Sequence, residues 1–189
     1  LNRLEGTPFE AQARLALLAI YERSLDWSHA ASIAQKMHAA DQGDFSTRQA
    51  HYLCEQALAL SVQGDRAGAK ALLEQAIAAA PDAARARIEL ARLQQLMGQP
   101  DAVLETLQTL GERAPAALPL AAPLLVEAGN ATGRQAEVHA RLVAHYEQSP
   151  SLDVLESIVA MEAANDATQA TARARYVQHL DKERSLVAA

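Results

Sequence analysis

His51 and Cys54 stand three residues apart, a spacing that places two soft metal ligands on one face of a helix. A zinc site would need further Cys ligands or a convergent carboxylate, and Cys54 is the only cysteine in the chain, so no metal is expected. His139 and His145 are six apart, which makes them diverge on a helix, and neither sits in an HExxH pattern. The sequence has no GxSxG elbow, no phosphate loop ending in GK[ST] and no GxGxxG, and no Cys/His pairing marks a nucleophile with its base. No catalytic residue and no cofactor is therefore expected, and the chain reads as a non-enzyme.

The elements that carry these side chains follow from composition. Half of the 189 residues are hydrophobic but only 4% are aromatic, so a sizeable core must be built from Ala, Leu, Ile and Val. Alanine loses no side-chain entropy in a helix and lets helices approach closely, whereas sheets favour β-branched and aromatic residues. All-α is expected. A net charge of -6 argues against nucleic acid, whose phosphates demand clustered Lys and Arg. Arg85, Arg87 and Arg92 come closest to such a cluster and read as one solvated helix face. The longest apolar run, 114–126, is too short to span a bilayer and contains Pro115, Pro119 and Pro123, so no membrane insertion is expected. The single cysteine agrees with a reducing, cytoplasmic setting. Without an initiator Met, a basic n-region or an apolar h-region at Leu1, the chain reads as an excised piece with no signal peptide.

Self-similarity is the strongest feature. Pro81 and Pro115, Gly64 and Gly98, and Ala57 and Ala91 are each separated by 34 residues. Gly64 and Gly98 can take the left-handed geometry that ends a first helix, and Pro81 and Pro115 stop the second. Small residues at Ala57, Ala69, Ala76 and Ala91 allow the two helices to pack closely. Gly133 and Pro150 continue the register with a slip of one, placed in the Pro-rich entry to the fourth unit. A period of 34 built as helix, turn, helix is that of the tetratricopeptide repeat. The sequence therefore predicts a right-handed superhelical solenoid of about five antiparallel hairpins, over approximately 11–42, 50–82, 84–116, 119–150 and 152–181, in a single domain spanning 1–189. A single globular bundle would have no reason to keep Pro and Gly in such register. Tyr21 and Trp27, bracketing the first turn, read as packing anchors, and the last hairpin, turning near Asn165, reads as degenerate.

In such arrays the first helix of each hairpin lines a concave face that holds segments of other proteins. The register places His51, Cys54, Glu55, Leu58, Arg85, Ile88, Glu89, Arg92 and Gln95 outward on the second and third first-helices. Repeats that clamp a C-terminal carboxylate use Lys and Asn here, so the mix of His51, Cys54, Arg85 and Ile88 argues against a chaperone-tail clamp. Arg85 and Arg92, two turns apart on one face, are the candidate contacts for an acidic segment of a partner.

On "LLAIYERSLDWSHAASIAQKM", with Tyr21, Trp27 and Ala30, on "AHYLCEQALAL", with His51, Tyr52, Cys54, Glu55 and Ala57, and on the repeat that carries Gly98, the segment from about Leu15 to Leu110 resembles the repeats of the lipopolysaccharide assembly protein B family of Gram-negative bacteria. The resemblance fades after Pro115. It implies cytoplasmic repeats behind an N-terminal inner-membrane anchor and before a C-terminal zinc ribbon, both lacking in this chain. It also implies an adaptor that brings the lipid A pathway deacetylase to a membrane-bound AAA protease. The repeats of a protein N-acetylglucosaminyltransferase and a scaffold of a secretion or pilus system are the alternatives, and exposed apolar end faces make homo-oligomerisation plausible.

Overall fold

The computed structural model describes residues 9–163 and 168–187, with backbone alone for 182–187. Among these residues ten α-helices follow one another: α1 (Glu10–Arg23), α2 (Trp27–Ala39), α3 (Ser46–Val62), α4 (Arg66–Ala79), α5 (Ala84–Leu96), α6 (Pro100–Arg113), α7 (Ala122–Thr132), α8 (Gln135–Gln148), α9 (Leu152–Ala163) and α10 (Gln169–Val187), with a 3-10 helix (Pro115–Ala121) before α7. No strand occurs among the described residues, so the fold is the expected all-α, tetratricopeptide-like succession of hairpins. The expected turn near Asn165 lies outside the described residues.

One local device is repeated at the turn inside each of the first four hairpins. A residue with positive φ, at Leu25 (56°), Gly64 (89°), Gly98 (68°) and Gly133 (72°), ends the first helix. The next residue's N–H then reaches back five positions: Asp26 to the Tyr21 carbonyl, Asp65 to Leu60, Gln99 to Gln94 and Arg134 to Gly129. That bond satisfies a carbonyl the helix end would otherwise leave orphaned. Where the following residue is Asp, its side chain caps the second helix, Asp26 accepting from the His29 N–H and Asp65 from the Gly68 N–H. Gly64 and Gly98 thus sit as the spacing predicts. The first hairpin spends a leucine on the same geometry, a position that costs a side chain about 1–2 kcal/mol.

Prolines punctuate the second helices. Pro81 and Pro150 follow the ends of α4 and α8, where a missing N–H and a fixed φ forbid another turn. Pro115 follows α6 but also opens the 3-10 helix, and with Pro119 inside it the chain winds at three residues per turn before α7 begins. That tighter segment is the physical source of the slip from 34 to 35.

The helices gather into two compact units, residues 1–93 and 94–189. In the first, α1 packs on α2, α2 on α3 and α3 on α4, around Leu18, Ala30, Ala34, Met37, Tyr52, Ala57, Ala69, Leu73 and Ala76, all essentially without exposure. In the second, α6 packs on α7, α7 on α8 and α9, and α9 on α10, around Leu107, Leu118, Leu125, Leu142, Leu155 and Ile158. Each buried Leu or Ile contributes about 1.5–3 kcal/mol of transfer free energy, and the alanines keep helix axes close enough for those side chains to meet.

Candidate functional site

In unit 1 the face predicted to meet a partner is a network of mutual contacts. Arg85, at the start of α5, reaches His51 Nδ1 at 2.5 Å with one guanidinium nitrogen and donates to Glu55 Oε1 at 2.7 Å with the other. Arg92 donates to Glu89 on its own helix at 2.9 Å. Trp27, the first residue of α2, stacks on Tyr52 with centroids 6.1 Å apart and meets the His51 ring edge-on at 6.0 Å, while Gln56 donates to its carbonyl at 3.2 Å. Tyr21 stacks on His29 at 4.9 Å. Tyr21 thus packs within the first hairpin, while Trp27 packs the first hairpin against α3.

A second polar knot ties α1 to α3. The Tyr52 hydroxyl donates to Glu22 Oε1, Arg48 Nη2 donates to the same oxygen at 2.7 Å, and Arg48 Nε donates to the Tyr52 oxygen at 3.1 Å. Burial works to raise the Glu22 carboxyl, but the Tyr52 and Arg48 hydrogen bonds outweigh it and hold the group below its ordinary 4.5. Burial, and then the Glu22 hydrogen bond, push the Tyr52 phenol up to about 12.

The predicted contacts divide by burial. His51, Arg85 and Arg92 are exposed, and Glu55, Leu58, Glu89 and Gln95 are half-buried. Ile88 and Cys54, expected to face outward, are 5% and 1% exposed. Each lies three residues before the small residue that seats its helix, Ala91 or Ala57, and therefore shares the packed stripe. Burial accordingly pushes the Cys54 thiol up to about 11, as expected of an inert core cysteine. Arg87, read as one of three solvated arginines, is 5% exposed and donates to the Pro81 carbonyl at the end of the preceding helix.

Unit 2 carries an open groove. It measures about 520 Å³ and is lined by Pro119, Leu120, Pro123, Val126 and Glu127 on one wall and by Asp153, Glu156, Ser157 and Ala160 of α9 on the other. Its shape follows from the local structure. In the 3-10 helix, Leu118 and Ala121 are three apart and turn into the core, which throws Leu120 outward at 66% exposure. Pro123, in the first turn of α7, fixes φ and needs no donor there. On α9, Val154, Leu155 and Ile158 point inward, leaving Asp153, Glu156 and Ala160 on the groove side. Glu127 accepts one hydrogen bond, from Gln95 Nε2 at 3.0 Å, so Gln95 is the predicted contact that the structure connects to this groove. Among the described residues Asp153 and Glu156 have no cationic partner.

The groove was missed in the sequence, where the Pro-rich run was weighed only as a membrane segment and as a slip in the repeat. A signal existed. It lay on one wall: Asp153, Glu156 and Ala160 of α9 share the spacing i, i+3, i+7 of a single helix face, whereas Leu120 lies in the 3-10 helix and Pro123 and Glu127 in α7, so no single period joined the other wall.

Glu162, 5% exposed, pairs with His139 Nε2 at 2.9 Å and Arg175 Nε at 3.1 Å, joining α8, α9 and α10. Tyr146 and His179 are 2.7 Å apart. His145 lines a second hollow of about 390 Å³ with Gln108, Glu112 and Arg141. Burial, then the Arg141 charge, lower its pKa. Arg141 itself is tied to the Leu107 carbonyl, with Gly111 leaving it room: a Cβ there would stand 2.7 Å from its Nη2. No group of three or more His, Cys, Asp or Glu among the described residues could hold a metal ion, and no described helix is long and apolar enough to cross a membrane.

A tetratricopeptide-repeat family model matches residues 63–128. No curated protein matches the chain. Among solved structures, a double mutant of MamA RS-1 superposes with a TM-score of 0.57 at 17% identity, covering 95% of this chain and 97% of that one. MamA from Desulfovibrio magneticus RS-1 gives 0.56 at 16% identity, with coverage of 93% and 96%. YrrB, described as a TPR protein with an unusual peptide-binding site, gives 0.51 at 16% identity, covering 96% of this chain and 88% of YrrB. At these identities the likeness is one of fold.

Proposed function

We propose that this tetratricopeptide-repeat chain is a non-catalytic adaptor that holds a segment of another protein in the groove formed by the 3-10 helix, α7 and α9. The observation that carries this reading is Leu120, a large apolar side chain exposed between two prolines at the rim of an open groove. Apolar surface held in a concave site is where a partner side chain gains most by leaving water. The prolines stiffen one wall, which lowers the ordering cost of binding. YrrB supplies a parallel, being described as a repeat protein with a peptide-binding site. Peptides selected from a random display library on the folded chain test the proposal. Their affinity should fall about tenfold or more with Leu120→Asp, which removes the apolar side chain that a bound peptide would cover. An unchanged affinity would move the binding surface elsewhere.

A finer reading is favoured by the resemblance of Leu15–Leu110 to the lipopolysaccharide assembly protein B repeats. In it the partners are the lipid A pathway deacetylase and a membrane-bound AAA protease, met at the cytoplasmic face of the inner membrane. Titrating each purified partner against the chain tests it, and absence of binding to both would leave the adaptor without that assignment. A transferase role would require turnover of a nucleotide sugar by this chain, and none is expected because repeats bind while catalytic domains react.

A further inference from the structure

From the charge on the groove walls, and resting on the groove being the binding face, we infer that its occupant is a cationic protein segment: apolar residues for the floor, flanked by Lys or Arg. Three carboxylates, Glu127, Asp153 and Glu156, surround Leu120, Pro123 and Val126. Glu127 meets only a neutral amide, and Asp153 and Glu156 have no cationic partner among the described residues. Among the described residues no Lys, Arg or His lines the groove. An acidic segment would bring like charges together in a partly desolvated cleft, which is unfavourable. A neutral apolar segment would strip water from the carboxylates without replacing its hydrogen bonds. Lysine or arginine flanks avoid both costs, their stems lying along the apolar floor and their charged heads reaching the rim. The pattern is the reverse of what Arg85 and Arg92 suggested, an acidic partner on unit 1.

Three fluorescein-labelled peptides with the same alternating Leu and Ala frame, flanked by Lys, Gln or Glu, are titrated against the whole chain by anisotropy. The Lys peptide is expected to bind roughly tenfold tighter than the Gln peptide, the sum of three modest ion pairs. The Glu peptide should bind weakest. The advantage should shrink as salt is raised well above 0.1 M, where the screening length drops below about 10 Å. In the E127Q/D153N/E156Q variant the Lys and Gln peptides should become equivalent, with circular dichroism and the melting temperature checking that the fold is kept. Equal affinity of the three peptides, all weakened by Leu120→Asp, overturns the cationic occupant and leaves the groove as the binding face. Affinities that ignore both sets of substitutions overturn the groove reading together with this inference.

Discussion

Arg85 in unit 1 and Glu156 in unit 2 both project from the first helix of a hairpin, yet their surroundings differ. Arg85 is held by His51 and Glu55, while Glu156 faces an open groove beside Leu120 with no cationic partner among the described residues. Around Arg85 the polar groups satisfy one another: Glu89 takes Arg92, and Glu22 takes both Arg48 and Tyr52. A surface of that kind offers a partner little, since each new contact must first break an old one. The groove of unit 2 offers apolar area and unneutralised charge together. A charged residue in the right register is therefore a poor guide to a binding face until its own partners are known.

Five variants break or sharpen this contrast. Leu155→Ala removes a fully buried side chain from the core face of α9 and should cost about 2–5 kcal/mol, read from urea unfolding. It should abolish peptide binding by collapsing the wall that carries Asp153 and Glu156. Leu120→Asp should leave urea unfolding within about 0.5 kcal/mol of the parent, as for an exposed position, while lowering peptide affinity about tenfold or more. Leu25→Gly should stabilise unit 1 by about 1 kcal/mol, because glycine adopts φ 56° without the clash leucine suffers. An unchanged midpoint would show that the turn is not strained.

The fourth concerns pH. The Glu22 carboxyl is held below 4.5 in the folded chain, so it contributes stability at neutral pH, and that contribution is lost as pH falls below 4.5 through the lowered value. Glu22→Gln should therefore melt below the parent at pH 7, and the gap should close in acid. A gap that widened in acid would contradict the assignment. Smallest of all, double charge reversal at Arg85 and Arg92 should change peptide affinity by less than about twofold, since surface pairs of this kind contribute about 0–1 kcal/mol.

What the sequence disclosed depended on how local the physics was. Hairpin turns were legible at Gly64 and Gly98, because glycine at a helix end carries its geometry in its own φ. Leu25 makes the same turn and was silent, since nothing in a leucine announces a positive φ. The arginines at 85 and 92 were legible as exposed, but the partners of Arg85 were not, although the repeat contained the clue. His51 lies 34 residues before Arg85, the same position one repeat earlier. The groove stayed hidden because a run of Ala, Pro and Leu reads as apolar without saying which side turns out. Only the three-residue turn of the 3-10 helix decides that Leu118 is core and Leu120 is rim. Ile88 and Cys54 were misplaced because a first helix was treated as one outward face, when its stripe toward Ala91 or Ala57 is packed.

The most direct measurement is amide chemical-shift mapping of the ¹⁵N-labelled chain titrated with the Lys-flanked peptide. Perturbations should concentrate at 119–127 and 153–160, with the amides around His51 and Arg85 unmoved. Perturbations centred on α3 and α5 instead would contradict the account and return the binding face to unit 1.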